Sequence, residues 1–173
     1  QGLFESLTPK PLLILASAKE GETTLPFASI VHGLRQHLPS HLFQEVGSVW
    51  ANQLSLILPE LINLRDDIGE KEVEKPPFSR QRLFDSLYQL FVLASEKYGR
   101  ILIFLDDAQW ADYQTLQALS YLVSRGFFER KGLLIIAADI EYPQHDLQKI
   151  INQLRQTSTV ETITLPAFNP EEM

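Results

Sequence analysis

Two adjacent carboxylates, Asp106 and Asp107, are the residues of this chain that most clearly point to chemistry. They directly follow the apolar run 101–105, which is typical of a buried strand that would deliver both carboxylates to the edge of a sheet. Proteins hold Mg²⁺ with one or two carboxylates, together with water and phosphate oxygens. The pattern therefore predicts that Asp106 holds a magnesium ion through its water shell. Asp107, displaced from the strand axis, would orient or deprotonate an attacking water.

A simpler interpretation of the same dipeptide stays open. Two aspartates after a strand are also a common signal for a turn and for the start of a helix. Taken alone, Asp106 and Asp107 do not separate these two interpretations.

The other reactive residue types offer little. The chain has no cysteine, which excludes disulfides, thiolate metal sites and cysteine nucleophiles. Its four histidines show no spacing typical of metal ligands, so we expect no zinc site. They are His32, His37, His41 and His145.

Length and composition describe a globular domain, or a large piece of one. The chain has 173 residues, of which 45% are hydrophobic and 21% are charged, and its formal net charge is −7. The acidic balance argues against a broad grip on the nucleic-acid backbone. No apolar run reaches the ~20 residues of a membrane span, and no signal peptide is evident, so we expect a cytoplasmic location.

Apolar runs alternate with helical patterns along the chain. The runs predict strands near residues 11–17, 101–107, 132–139 and 160–165. Helices are predicted over 27–38, 41–64 with a kink or split at Pro59, 79–98 with a Ser cap, 112–125 and 144–156. Residues 66–77 are charged, end in prolines and are expected to form a mobile loop.

Such alternation predicts an α/β fold with a mainly parallel sheet that helices cover on both faces. Ligands of these folds bind beyond the carboxyl ends of the strands. Function is therefore expected near residues 17–20, 106–112 and 138–141.

The run from Phe104 to Asp112 resembles one family, the STAND-type signalling ATPases of the AAA superfamily. The family pattern is an apolar Walker B strand, Asp-Asp, two residues, Trp-Ala-Asp and a Leu-rich helix, and this chain fits it without a gap. Four weaker resemblances lie in the family's order. They are Leu25–Ile30, Leu58–Leu61, Arg82–Leu87 and Val160–Glu172.

The resemblance implies a three-layer core similar to P-loop NTPases. It implies an ATP-binding switch with slow hydrolysis, within a bacterial protein for signal transduction or transcription regulation. Related domains occur in large LuxR-type regulators, cyclases and kinase–histidine kinase fusions. ATP and Mg²⁺ would bind in the intact protein, with Asp106 as the metal residue and Asp107 as the catalytic one. The partners would be other domains of the same polypeptide, with no direct contact to nucleic acid or membrane.

One departure from the family concerns the phosphate-binding loop. The chain contains no Gly-x-x-x-x-Gly-Lys-Ser/Thr, and the family's order places that loop and the first strand just before Gln1. We therefore expect a fragment without its P-loop, with no cofactor-binding residue within the chain, that binds nucleotide poorly or not at all. Residues 166–173 would begin a lid domain.

The second departure lies at the end of the third apolar run. The family has Thr-x-Arg there as a sensor of the terminal phosphate, whereas this chain has Ala138, Asp139 and Ile140. A carboxylate near a γ-phosphate is repulsive unless it helps to hold the metal. This departure predicts inefficient hydrolysis even in the intact protein.

A non-catalytic module for protein interaction or oligomerisation, with a degenerate NTPase fold, is the alternative function. The family's strand order, 5-1-4-3-2, would leave a gap beside residues 132–139 when the first strand is missing. An isolated chain would then dimerise, swap an element or move residues 160–165 inward.

Three further residues are expected to be structural. Trp110 fits a packing residue under the following helix, Asp112 fits a helix N-cap, and Trp50 fits the apolar face of a helix.

Overall fold

Three parallel strands form one sheet in the order β1-β2-β3 within the part of the chain that the structure describes. The structure is a computed structural model that describes residues 10–68, 78–139, 141–142, 145–157 and 160–165. The strands are β1 (Leu12–Ser17), β2 (Ile101–Asp106) and β3 (Gly132–Ile136). The predicted α/β fold with a parallel sheet is confirmed.

Eight helices accompany the sheet in the described ranges. They are α1 (Ala28–His37), α2 (Ser40–Glu45), α3 (Ser48–Leu54), α4 (Leu61–Leu64), α5 (Phe78–Tyr98), α6 (Tyr113–Ser124), α7 (Phe127–Arg130) and α8 (His145–Thr157). Two 3₁₀ turns lie at Glu20–Glu22 and Ala108–Trp110. No helix in these ranges is long and apolar enough to cross a membrane.

Two helix predictions need correction. The helix expected over 41–64 is three helices, because Val46 and Gly47 are extended (ψ 138° and 144°) and Pro59 cannot donate an N–H. The described part of the long helix α5 spans Phe78–Tyr98, so the backbone is already helical at Ser79, where the cap was predicted. Its end agrees with the prediction, since Gly99 follows with φ of 82°.

The register of the sheet brings the carboxyl ends of the strands to one level. Ser17 pairs with Asp106, and Leu105 pairs with Ile136. Hydrogen bonds continue beyond the strands, from the Ala18 N–H to the Asp106 carbonyl at 3.0 Å and from the Ala137 N–H to the Leu105 carbonyl at 2.9 Å. This edge is where a ligand of a parallel α/β sheet is expected.

The core lies on one face of the sheet. Ile14, Ile103 and Leu105 are fully buried there, and α1 packs on β1. Gly33 permits the close approach of α1, because a Cβ at this position would lie 2.9 Å from the backbone oxygen of Leu15. On the opposite face Leu15 and Leu133 are 42% and 53% exposed, so the described residues cover that face incompletely.

The strand predicted over 160–165 is wrong in the structure. These residues form no strand and are exposed, with Ile163 at 81% and Leu165 at 85%. Their β-branched pattern is insufficient, because a strand exists only where a neighbouring strand supplies hydrogen bonds. The segment has not moved inward beside β3, whose outer edge pairs with no other described strand.

Two expected segments lie mostly or wholly outside the described residues. The loop expected over 66–77 is described only as far as Ile68, which is 8% exposed and so buried against the core. Residues 166–173, expected to begin a lid domain, lie beyond the described part.

We propose that the isolated 173-residue chain self-associates through the outer edge of β3, because an apolar edge strand templates pairing with another chain. Light scattering after size exclusion should give a mass above that of a monomer at high protein concentration. Leu133→Lys should return the mass to that of a monomer. The matched control is Leu64→Lys, since Leu64 is 42% exposed on α4. A wild-type monomer at all concentrations would contradict the proposal.

A second prediction concerns Gly132, where β3 begins. A Cβ there would lie 2.5 Å from the backbone oxygen of Ile101 and 3.2 Å from the ring of Phe127. Gly132→Ala should therefore lower the free energy of unfolding by about 1–3 kcal/mol, as measured by urea denaturation. Gly21→Ala is the control, because a Cβ at Gly21 meets no atom within 4 Å. Equal stability of the two variants would contradict the prediction.

Candidate functional site

The chain turns sharply between the two carboxylates at the end of β2. Asp106 is the last residue of the strand and is exposed. Asp107, also exposed, adopts the left-handed conformation with φ of 51° and ψ of 40°, which aspartate tolerates better than most residues. The Asp107 N–H donates to Oδ1 of Asp106 at 3.1 Å. This turn takes the chain out of the strand direction between the two predicted site residues.

The edge offers carboxylates of the kind that Mg²⁺ accepts, but no complete protein cage. Within the described ranges no group of three His, Cys, Asp or Glu residues is placed to hold a metal. Two exposed carboxylates fit an ion that takes its remaining ligands from water and phosphate. Phosphate itself has no such fit here, because the sequence supplies no Gly-x-x-x-x-Gly-Lys-Ser/Thr cradle.

A glutamine that the sequence analysis did not single out joins two strand ends. The Gln109 side chain belongs to a residue only 6% exposed. Its Nε2 donates to Oδ1 of Asp107 at 3.2 Å, and its Oε1 accepts the N–H of Asp139 at 3.1 Å. The signal that could have found it is an amide side chain within the turn that follows the carboxylate pair.

The end of β3 differs from a phosphate sensor in its chemistry. Ala138 is exposed and has no hydroxyl, and Ile140 lies outside the described residues. Oδ1 of Asp139 accepts the N–H of Glu141 at 2.8 Å, so this carboxylate closes a local turn. The interpretation that Asp139 helps to hold a metal gains no support from these contacts.

Asp112 is an N-cap, as predicted, and also a long-range tie. The residue is 1% exposed and precedes α6. Its Oδ1 accepts the Thr115 N–H at 2.9 Å, and its Oδ2 accepts the Thr115 hydroxyl at 2.6 Å. Oδ1 also accepts the N–H of Phe27 at 2.8 Å, across 85 positions of sequence. The carboxylate therefore fixes the start of α6 against the start of α1.

Phe27 has an unusual backbone that this tie secures. Its φ is 62°, a left-handed conformation that costs a residue of this size about 1–3 kcal/mol. The ring is buried and meets Phe84 edge to face, with 6.2 Å between centroids. The hydrogen bond from Phe27 to Asp112 and the buried ring together hold the strained conformation.

The two tryptophans pack against the core, in agreement with their predicted structural roles. Trp110 also meets the ring of Tyr142, with 5.5 Å between centroids. This contact links the turn after β2 to the segment after β3.

Shifted pKa values occur on α6 and at ion pairs on the surface. Burial and a hydrogen bond to Asp85 raise the pKa of Tyr121 on α6 to about 12. Hydrogen-bonded ion pairs lower the carboxyl pKa of three residues on the surface. The pairs are Glu45 with Lys97, Glu60 with Arg35, and Asp67 with Arg65.

The buried hydrogen bonds of the Asp112 carboxylate predict a loss of stability when it is removed. Asp112→Ala removes an N-cap, which costs about 0.5–2 kcal/mol, and leaves the Phe27 N–H buried without a partner, which costs about 1–3 kcal/mol more. Urea denaturation should show a loss of roughly 2–4 kcal/mol. Asp66→Ala, which removes an exposed carboxylate, should change stability little. A decrease in the free energy of unfolding of less than about 0.5 kcal/mol, the range of a typical surface substitution, would contradict the structural role of Asp112.

The family model described as AAA ATPase domain matches residues 1–136, which is more than half of the chain. No curated protein and no solved structure matches the chain. The match contains β1, β2, the turn after β2 and all of β3. The chain belongs to the AAA ATPase domain family.

Proposed function

We propose that this chain belongs to the ATP-binding switch domain of a STAND-type ATPase, within a bacterial protein that transduces signals or regulates transcription. Membership of the AAA ATPase domain family supports the ATPase part of the proposal. The run from Phe104 to Asp112 supports the STAND part, because it fits that pattern without a gap. The observation that carries the proposal is the placement of Asp106 and Asp107, exposed and divergent, at the carboxyl end of the middle strand.

The two carboxylates take different roles in this proposal. Asp106 continues the strand and would hold Mg²⁺ through its water shell. Asp107 leaves the strand direction and would orient or deprotonate the attacking water. Mg²⁺, when bound with ATP, supplies charge neutralisation at the phosphates.

Slow hydrolysis follows from the end of β3. Ala138 offers no hydroxyl to a terminal phosphate, and Asp139 adds negative charge near that position. Slow turnover suits a switch, because the ATP-bound state must last long enough to be read by other domains of the same polypeptide. ATP and Mg²⁺ would bind in the intact protein, and the 173-residue chain alone would bind them poorly or not at all.

The test uses the complete natural polypeptide that carries this domain. Asp106→Asn should weaken ATP binding in the presence of Mg²⁺ by at least about tenfold and leave binding in EDTA unchanged, because only the metal contact is removed. Asp107→Asn should keep the affinity and lower the hydrolysis rate by roughly 10²–10⁴-fold, the range typical of a lost general base. Titration calorimetry and phosphate release measure the two effects.

Asp66→Asn is the matched control, since Asp66 is an equally exposed carboxylate in a loop outside the sheet edge. If Asp106→Asn binds nucleotide as tightly as wild type with Mg²⁺ present, Asp106 does not hold the metal. An intact protein that binds no nucleotide would favour the alternative function, a non-catalytic interaction module in which both carboxylates only shape the turn.

A further inference from the structure

We propose that Gln109 is a positioning residue that couples the end of β3 to the carboxylate of Asp107. The inference deepens the proposed function and rests on it, because it assigns a regulator to the residue that would orient the attacking water. It begins from two hydrogen bonds of one buried side chain, to Oδ1 of Asp107 at 3.2 Å and from the Asp139 N–H at 3.1 Å.

The orientation of the Gln109 amide follows from its partners. A backbone N–H can only donate, so the Asp139 N–H must face the carbonyl oxygen Oε1. The NH₂ group is then left to face Asp107, whose ionised carboxylate can only accept. Neither partner allows the amide to flip, and with Gln109 only 6% exposed, water has little access to its amide.

Gln109 also acts at the point where the backbone ladder ends. The Ala137 N–H donates to the Leu105 carbonyl, and the Ala137 carbonyl accepts the Ala108 N–H, both at 2.9 Å. These bonds fix the chain after β3 only as far as Ala137. Two residues later, the Gln109 amide holds Asp139 to the turn that follows β2.

The coupling gives β3 a route to the reaction site that needs no sensor side chain. The Ala138 side chain has no group that could hydrogen-bond to a phosphate. A displacement of the Asp139 backbone would nevertheless pull on Gln109 and reorient Asp107. The nearby contact between Trp110 and Tyr142, 5.5 Å between ring centroids, gives the same two segments a second link.

The first test measures the link itself, in the 173-residue chain without nucleotide. Gln109→Met removes both hydrogen bonds, so hydrogen exchange of the Asp139 amide, followed by NMR, should accelerate by about tenfold. Gln109→Glu retains an acceptor for that N–H and should leave its exchange within about twofold of wild type. Equal exchange in Gln109→Met and wild type would overturn the proposal, whatever the enzyme activity.

The second test measures positioning in the intact ATPase. Gln109→Glu cannot donate to Asp107 and places a like charge beside it, so kcat should fall by at least about tenfold with KM for MgATP within about twofold. Gln36→Glu, at an exposed glutamine of α1, makes the same chemical change elsewhere and should leave both constants unchanged. An unchanged kcat in Gln109→Glu would overturn the positioning role.

A third pair of variants avoids any change in the core. Both Asp139→Pro and Asp139→Ala remove the carboxylate and its bond from the Glu141 N–H, but only Asp139→Pro also deletes the N–H that donates to Gln109. The proline variant should lower kcat by at least about tenfold relative to the alanine variant. Equal rates would overturn the coupling. An intact protein without MgATP binding would overturn this inference and the proposed function together, and the Asp106→Asn measurements identify that case.

Discussion

The buried carboxylate of Asp112 is the interaction on which the rest of the site depends. It accepts the Thr115 N–H in the first turn of α6 and, across 85 positions of sequence, the N–H of Phe27 before α1. A carboxylate that is 1% exposed must be fully hydrogen-bonded to be tolerated, so these contacts leave its surroundings little freedom. The helices that follow β1 and β2 are thereby fixed relative to one another at the edge where the strands end.

The residues between β2 and Asp112 behave as one structural unit. The strand supplies Asp106, the left-handed turn at Asp107 changes direction, and a short 3₁₀ turn carries Gln109 inward. The buried polar side chains of this segment, Gln109 and Asp112, are hydrogen-bonded, as burial of polar groups requires. The residue pattern that resembles an ATPase motif therefore also lets a parallel strand end without unpaired polar groups.

In the proposed function, the sheet edge combines residues suited to ATP hydrolysis with residues that would slow it. Two exposed carboxylates stand at the end of the middle strand, while the end of β3 lacks a side chain suited to phosphate. A switch requires a long-lived bound state, so weak chemistry and a well-ordered site are compatible. In the proposed site, the orientation of Asp107 would set the rate, and the buried Gln109 amide donates a hydrogen bond to that carboxylate.

The sequence by itself determined the three strands of the sheet and the two carboxylates that follow the middle strand. Continuous apolar runs before Asp106 and over 132–136 marked strands, because strands buried in a parallel sheet carry little polarity. The capping role of Asp112 was readable as well, since it depends only on residues within one helical turn. Local signals such as these act over a few residues, and the chain displays them directly.

Only the tertiary structure decided the contacts between distant segments. The segment 160–165 has a strand-like composition but no neighbouring edge, and pairing depends on neighbours rather than propensity. The tie from Asp112 to Phe27 and the bridge from Asp107 through Gln109 to Asp139 join segments that no periodicity relates. Such bonds form because packing brings partners from distant segments together and buries at least one of them. Local sequence does not encode that arrangement.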